Sequence, residues 1–505
     1  MMKRILTGGV ATLLMMTSAA FANGYPSGGR AIDKLHPAAD YGDLAGGRPL
    51  ALGIMRARAQ GFVPSPTLEA YANHVLAKVL AGVTLPASFR PQVRVLAAPE
   101  FQALCTPDGT IVLTVGLLEH LDNEDQLAFI LGHEVSHAIY RHHEKDWAKK
   151  SQYYAVMNGA AIQQISDAAT MAGANGSDVA MGLNLAMHIS KLSAHVLGPQ
   201  MSANQEDEAD ALGFDLMVKA GYNPDAASQV MDKLAEQEAE AARAAKAAKD
   251  AEKASRHGSS GGGGFSLGNI MGAVSGAMSG DWKTLAVFAF DAAVDNMSDE
   301  AVSHHPAPER KKMVSDYAFK QYRDTLPVAP TALPWQAPTK KDKDGLAMQA
   351  VLTHYGAAED AAAYIADPTQ GTDAKARADV TRSSTLPTTD HAYTQFVAYE
   401  YYDKAGQKPQ SEAALVRAAN GPEASWEVYS RLIDIHMARN DFPGALRLMD
   451  QAGVKFEDSP VLLPKHIQIY AAQGDFASAR GLLPKCKSYD IDELYDACKK
   501  AAQAG

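Results

Sequence analysis

Five consecutive residues, His133-Glu134-Val135-Ser136-His137, carry the most chemistry that the sequence offers. On a helix, residues four apart share one face, about 6 Å apart along the axis, so the two imidazoles can converge on one metal ion. Zinc suits such a pair, because it accepts imidazole and carboxylate and keeps an open position in catalytic sites. Glu134 stands beside the first histidine and can reach a water bound at that position, taking its proton as a general base. The preceding Ala128, Phe129, Ile130 and Leu131 make the helix apolar. Two histidines and a glutamate on a buried helix are costly unless paired or metal-bound. His142 and His143, at the polar end, read as a solvated face.

A second cluster, Glu206-Asp207-Glu208-Ala209-Asp210, follows on a predicted helix. Taken alone, an acidic run is usually a solvated face. Beside the histidines, Glu206 supplies a third ligand. Asp210, one turn on, can accept the other ring N–H of a ligand histidine and fix its tautomer. The expectation is one Zn2+ per chain, held by His133, His137 and Glu206.

Positioning these residues requires a compact domain, and the pattern from Pro64 to Asp225 supplies one that is mostly helical with a little sheet. Leu68 to Leu80 has helical periodicity, Val93–Leu96 and Thr110–Val115 read as strands, and Asn123-Glu124-Asp125 opens the helix that runs to about His143. Thr110–Val115 is read as an edge strand able to pair with an extended substrate. A low-complexity insertion spans about 236–264, and Phe265–Asn296 is apolar and Gly-rich, either a packed hairpin or a flap. Pro327, Pro330, Pro334 and Pro338 mark an interdomain linker. Beyond it, Asn440-Asp441-Phe442 with Ala445 recurs as Gly474-Asp475-Phe476 with Ala479, and Ile433 recurs as Ile467. That 34-residue offset is the period of tetratricopeptide repeats. The fold class expected is mainly α: an α+β domain with a small sheet around the His133–His137 helix, then an α-helical repeat solenoid. The expected boundaries are a signal peptide at 1–22, a zinc-binding domain at 23–330 and repeats at 338–505.

In order along the chain, several blocks resemble the BepA/HtpX-like gluzincin metallopeptidases related to the CAAX prenyl endopeptidase. They are Phe101-Gln102-Ala103 with Pro107-Asp108-Gly109 and Val115-Gly116-Leu117-Leu118; the His133–His137 motif with Arg141-His142; Glu206–Asp210 with Gly213 and Ala220-Gly221-Tyr222-Asn223-Pro224; and Ser303-His304-His305-Pro306 with Glu309-Arg310. The match covers roughly Pro64 to Tyr322. Gln102 and Ala211 depart from the family pattern, as does the long insertion. The resemblance implies a zinc endopeptidase acting in envelope protein quality control, with outer-membrane or other envelope proteins and their assembly machinery as partners. It also implies a gating or substrate-side catalytic role for His305, whose alternative is a structural histidine before a turn proline. Arg310 is expected to hold that segment through an ion pair. A chaperone-like binding module with a mostly closed metal site is the competing function.

Lys3 and Arg4, the apolar run Ile5–Met16 and Ala20-Phe21-Ala22 read as an export signal cut after Ala22, which implies a periplasmic protein. The formal charge of −11 and the lack of a basic stripe argue against nucleic acid, while peripheral membrane contact stays open. Cys486 and Cys498 are either a disulfide or two buried thiols, and Cys105 has no evident partner.

Overall fold

The computed structural model describes residues 25–26, 28–42, 52, 61–143, 201–239, 305–325, 328–366 and 368–503. The expected signal peptide, most of the insertion, the Phe265–Asn296 segment and His304 lie outside them. The architecture is helical with one small sheet. Helix α1 (Pro66–Leu80) begins with Ser65 as N-cap and a proline in its first turn. Strands β1 (Gln92–Leu96), β2 (Ala103–Cys105) and β3 (Thr110–Thr114) follow, then α2 (Val115–His120) and α3 (Glu124–Tyr140). Beyond them come α4 (Ala203–Lys219), α5 over 225–239, and α6 (Ala307–Tyr322).

The sheet order is β1-β3-β2, with β1 parallel and β2 antiparallel to β3. The expected edge strand is therefore the central one. Every residue of β3 is buried, and both of its sides are already bonded. The hairpin from β2 through Pro107-Asp108-Gly109 fills one of those sides, and β1 fills the other. Asp108 fixes this turn by accepting from the hydroxyls of Thr106 (2.6 Å) and Thr110 (2.7 Å), and Gly109 takes the positive φ of 82° that it needs.

Two helices carry the chemistry, and their packing is unusually close. Asn123 caps α3, and Arg141 ends it in the left-handed conformation. Ser202 and Gln205 form a reciprocal capping box on α4. Where the helices cross, Gly132 faces Gly213. A Cβ at Gly213 would lie 2.6 Å from the backbone nitrogen of His133, and one at Gly132 would lie 2.9 Å from the carbonyl oxygen of Gly213. The backbones can approach only because both side chains are absent.

The segment expected to be a linker is packed instead. Leu333 and Trp335 are buried, Trp335 meets Tyr71 edge-on, and Gln336 donates to the Leu121 carbonyl. Asp125, at the start of α3, accepts from the backbone N–H groups of Asn223 and Thr331.

Among the described residues ten α-helices follow: α7 (Lys343–Ala366), α8 (Asp373–Ser383), α9 (Ala392–Lys404), α10 (Lys408–Asn420), α11 (Trp426–Ala438), α12 (Phe442–Lys455), α13 (Leu463–Ala472), α14 (Phe476–Gly481), α15 (Leu483–Lys487) and α16 (Asp492–Ala501). The 34-residue period is visible in the backbone. Gly406, Asn440 and Gly474 all take positive φ. The residues after them, Gln407, Asp441 and Asp475, share one conformation at the start of α10, α12 and α14. Their N–H groups bond back to Tyr402, His436 and Tyr470 in turn. Ser411, Ala445 and Ala479, all small, occupy the matching buried positions. Cys486 and Cys498 form a disulfide that joins α15 to α16, and Cys105 is buried and free.

The main core runs from Ala31 through the peptidase helices into α7, α8 and α9, so the first helices of the C-terminal part share it. Arg94 on β1 bonds both Glu69 (2.7 Å) and Glu423 (3.0 Å), which adds a polar tie between the two parts. Among the described residues, no helix is long and apolar enough to cross a membrane.

Candidate active site

The three residues expected as ligands converge. His133 Nε2 lies 3.2 Å from His137 Nε2, and each lies 3.6 Å from an oxygen of Glu206. These three are the metal-competent cluster among the described residues. The spacing tests the fit of zinc: tetrahedral bonds of about 2.0–2.1 Å put neighbouring ligand atoms about 3.3–3.4 Å apart. Two buried imidazole nitrogens facing each other at this distance need a proton or a cation between them, and a carboxylate beside them favours the cation. The residues present fit the metal.

Glu134 is the fourth member. Burial pushes its carboxyl up to about 7, with Glu206 adding to the shift and His133 opposing it. A carboxylate raised in this way is a better proton acceptor than an ordinary surface glutamate.

Arg310, from α6, sets the position of Glu206. Its Nη1 lies 3.1 Å from Glu206 Oε2, while Nε and Nη2 grip both oxygens of Asp210 at 2.9 and 2.7 Å. Burial works against the guanidinium charge, yet Asp210 and Glu206 keep it firmly protonated. Burial would likewise raise Asp210, but Arg310 and His133 hold it down to about 2. Asp210 is thus an anion at any ordinary pH. Its Oδ1 lies 2.9 Å from His133 Nδ1, the contact expected of it, although the approach is not aligned well enough for a formed hydrogen bond. Its main partner is Arg310.

His305 is half-buried and stands at the start of α6. Its Nε2 lies 3.6 Å from Asp207 and its Nδ1 lies 3.5 Å from Glu309, so it faces carboxylates rather than joining the three ligands.

Two features were missed in the sequence. His142, read as solvated, is 8% exposed, and its Nδ1 lies 3.0 Å from His137 Nδ1. The chain reverses at Arg141, whose φ is 57°, and the His142 N–H bonds the His137 carbonyl at 2.9 Å. A helix drawn through to His143 would place that side chain elsewhere; the left-handed C-cap brings it back. The other feature is the N-terminal segment, which packs behind the ligands. Ala31 N donates to Tyr317 Oη (2.7 Å), Ile32 N to Asp215 (2.8 Å), and Tyr41 Oη to the Ile139 carbonyl (2.7 Å).

A helix presenting two histidines one turn apart with a glutamate between them, crossed by a second helix that supplies a carboxylate, is the active-site architecture of zinc metallopeptidases. Residues 66–317 match peptidase family M48, and through this domain the chain belongs to that family. Over 150 residues it is 30% identical to the mitochondrial metalloendopeptidase OMA1 of Arabidopsis thaliana, covering 30% of this chain and 27% of that one. Over 143 residues it is 27% identical to the beta-barrel assembly-enhancing protease of Escherichia coli K12, covering 27% of each. The mitochondrial metalloendopeptidase OMA1 of Schizosaccharomyces pombe is 27% identical over 172 residues, 34% of this chain and 45% of its own. The chain thus spans less than half the length of these relatives.

Proposed function

We propose that the chain is a zinc-dependent endopeptidase of the bacterial periplasm, exported with cleavage after Ala22, that hydrolyses misfolded or stalled envelope proteins. The observation that carries the reading is the convergence of His133, His137 and Glu206 beside the half-buried Glu134. Zinc, when bound by these three side chains, would polarise the scissile carbonyl and acidify a water. Glu134 takes the water proton and returns it to the leaving amine. Arg310 holds Glu206 so that the ligand stays aimed at the site, and Asp210 orients His133 from behind.

The period and geometry of α9–α14 support tetratricopeptide repeats that bind substrate or partner. Relatives named for beta-barrel assembly support outer-membrane proteins and their assembly machinery as the partners. His305, beside Asp207, gates or assists the site. His305→Ala is expected to change the cleavage rate per bound zinc, and an unchanged rate would leave it a structural histidine.

The deciding experiment is Glu134→Gln in the full chain. It should keep about one zinc per chain and lose cleavage of unfolded casein by at least about 100-fold, since general-base removal typically costs 10²–10⁴. Wild type that binds zinc but cuts nothing would favour the binding-module reading. Equal cleavage by variant and wild type would remove Glu134 from the mechanism.

A further inference from the structure

His137 is the ligand with the least conventional support. Metal-binding histidines usually donate their outer ring N–H to a carboxylate or a backbone carbonyl. His133 has Asp210 in that position, but His137 Nδ1 meets the imidazole of His142 at 3.0 Å. The ring of His142 continues the line: its Nε2 lies 3.0 Å from Glu208 Oε2. Its face stacks on Tyr140 with 5.3 Å between centroids and 17° between planes. Its backbone carbonyl accepts from Gln205 Nε2 at 3.0 Å, and Gln205 is the residue that completes the capping box of α4. The His142 side chain and backbone therefore join the C-terminus of α3, which carries two ligands, to the N-terminus of α4, which carries the third.

We propose that His142 is a positioning residue for the metal site, one that selects the tautomer of His137 through a directed His137–His142–Glu208 relay. The proposal rests on the reading of His133, His137 and Glu206 as zinc ligands. The direction of the relay follows from the inventory of donors. Glu208 can only accept, so the His142 Nε2 carries the hydrogen and its Nδ1 is left as an acceptor. His137 must then donate from Nδ1, which leaves the lone pair of its Nε2 aimed at the site. Were His142 in the other tautomer, two ring N–H groups would collide and His137 would be pushed towards the form that cannot ligate. Glu208 thus acts on the metal from two residues away. Its own side chain is 45% exposed, so the relay ends at the protein surface.

The test is zinc affinity of the full chain, measured by competition with a chromophoric chelator, with zinc itself as the probe and no dependence on proteolysis. His142→Ala is expected to weaken zinc binding 10- to 100-fold, the usual scale for removing the partner of a ligand histidine. His142→Asn keeps an acceptor near the Nδ1 position and should recover most of the loss. Glu208→Ala, a surface change that does not threaten the fold, should weaken binding several-fold. It should add nothing further in the His142→Ala background, because the relay is already cut. Wild-type affinity in a folded His142→Ala protein would overturn the proposal. So would full additivity of the two changes, or an Asn variant as weak as Ala. A wild-type chain that binds no zinc would instead overturn the ligand assignment and take the relay with it, which keeps the two failures distinguishable.

Discussion

Arg310 shows how much of the site depends on one side chain that bears no ligand. It is buried, and it neutralises two carboxylates, that of Glu206, the proposed third ligand, and that of the fully enclosed Asp210. Removing one partner of such a pair leaves an uncompensated buried charge, which costs about 3–5 kcal/mol. Arg310→Met should therefore destabilise the protein by that order in urea titrations and also weaken zinc binding, as Glu206 loses its tether. Arg310→Lys should be intermediate, since an ammonium cannot grip both oxygens of Asp210 in the planar fork. A Met variant with native stability would show that Asp210 is protonated or hydrated instead. At this scale the sequence was legible where residue type and spacing suffice: HExxH is a local pattern, and so is Glu206 with Asp210. His142 was not legible, because its position depends on a single left-handed residue, Arg141. Nothing in the type of residue 141 forces that conformation.

The crossing of α3 and α4 belongs to the scale of elements. Gly132 and Gly213 let the two backbones touch, and this contact sets how far Glu206 sits from the histidines. Gly213→Ala would drive a Cβ into the backbone at His133, and neither helix can yield locally. Overpacking of this kind costs about 1–3 kcal/mol. The variant should lose that much stability and, because the helices separate, bind zinc at least about tenfold more weakly, as when a supporting contact of a metal site is lost. Native zinc affinity in this variant would mean that the crossing distance does not set the ligand geometry. The helices themselves were readable from periodicity and caps, as Pro66–Leu80 and Glu124–Tyr140 demonstrate. The sheet was less so. β2 is only three residues long, and it is this short strand, paired by the Asp108 turn, that converts β3 from an edge into a centre. Pairing partners are a tertiary property that a run of β-branched residues does not reveal.

At the scale of the molecule, the C-terminal helices are joined to the peptidase domain through a shared core and through side chains such as Arg94. Glu119, at the end of α2, faces α7: Gly356 leaves room for its carboxylate, and Asp360 lies near enough to repel it. Although Glu119 keeps an exposed face, the loss of water where it meets α7, with Asp360 adding, pushes its carboxyl up to about 7 from an ordinary 4.5. The folded state therefore binds this proton more tightly than the unfolded chain, and stability falls as pH rises from about 4.5 to about 7. Glu119→Gln removes the titration, so the variant should melt higher than wild type at pH 8 and show little difference at pH 4.5. Equal melting temperatures at pH 8 would mean that water reaches the carboxylate freely, as its exposed face allows. The 34-residue period foretold the helical pairs, whereas the proline-rich stretch gave a misleading signal. Proline marks where helices stop, but Leu333 and Trp335 decide that the stretch is packed. The same long-range closure orders events in a chain that is made or threaded from its N-terminus. Ala31 meets Tyr317 across 286 positions, and Arg310 arrives 100 positions after the Asp210 that it neutralises. A nascent chain that already holds both histidines and Glu206 still lacks the cation that steadies Glu206. The three proposed ligands are thus translated early and locked late, which delays a complete candidate site until the domain around it is nearly complete.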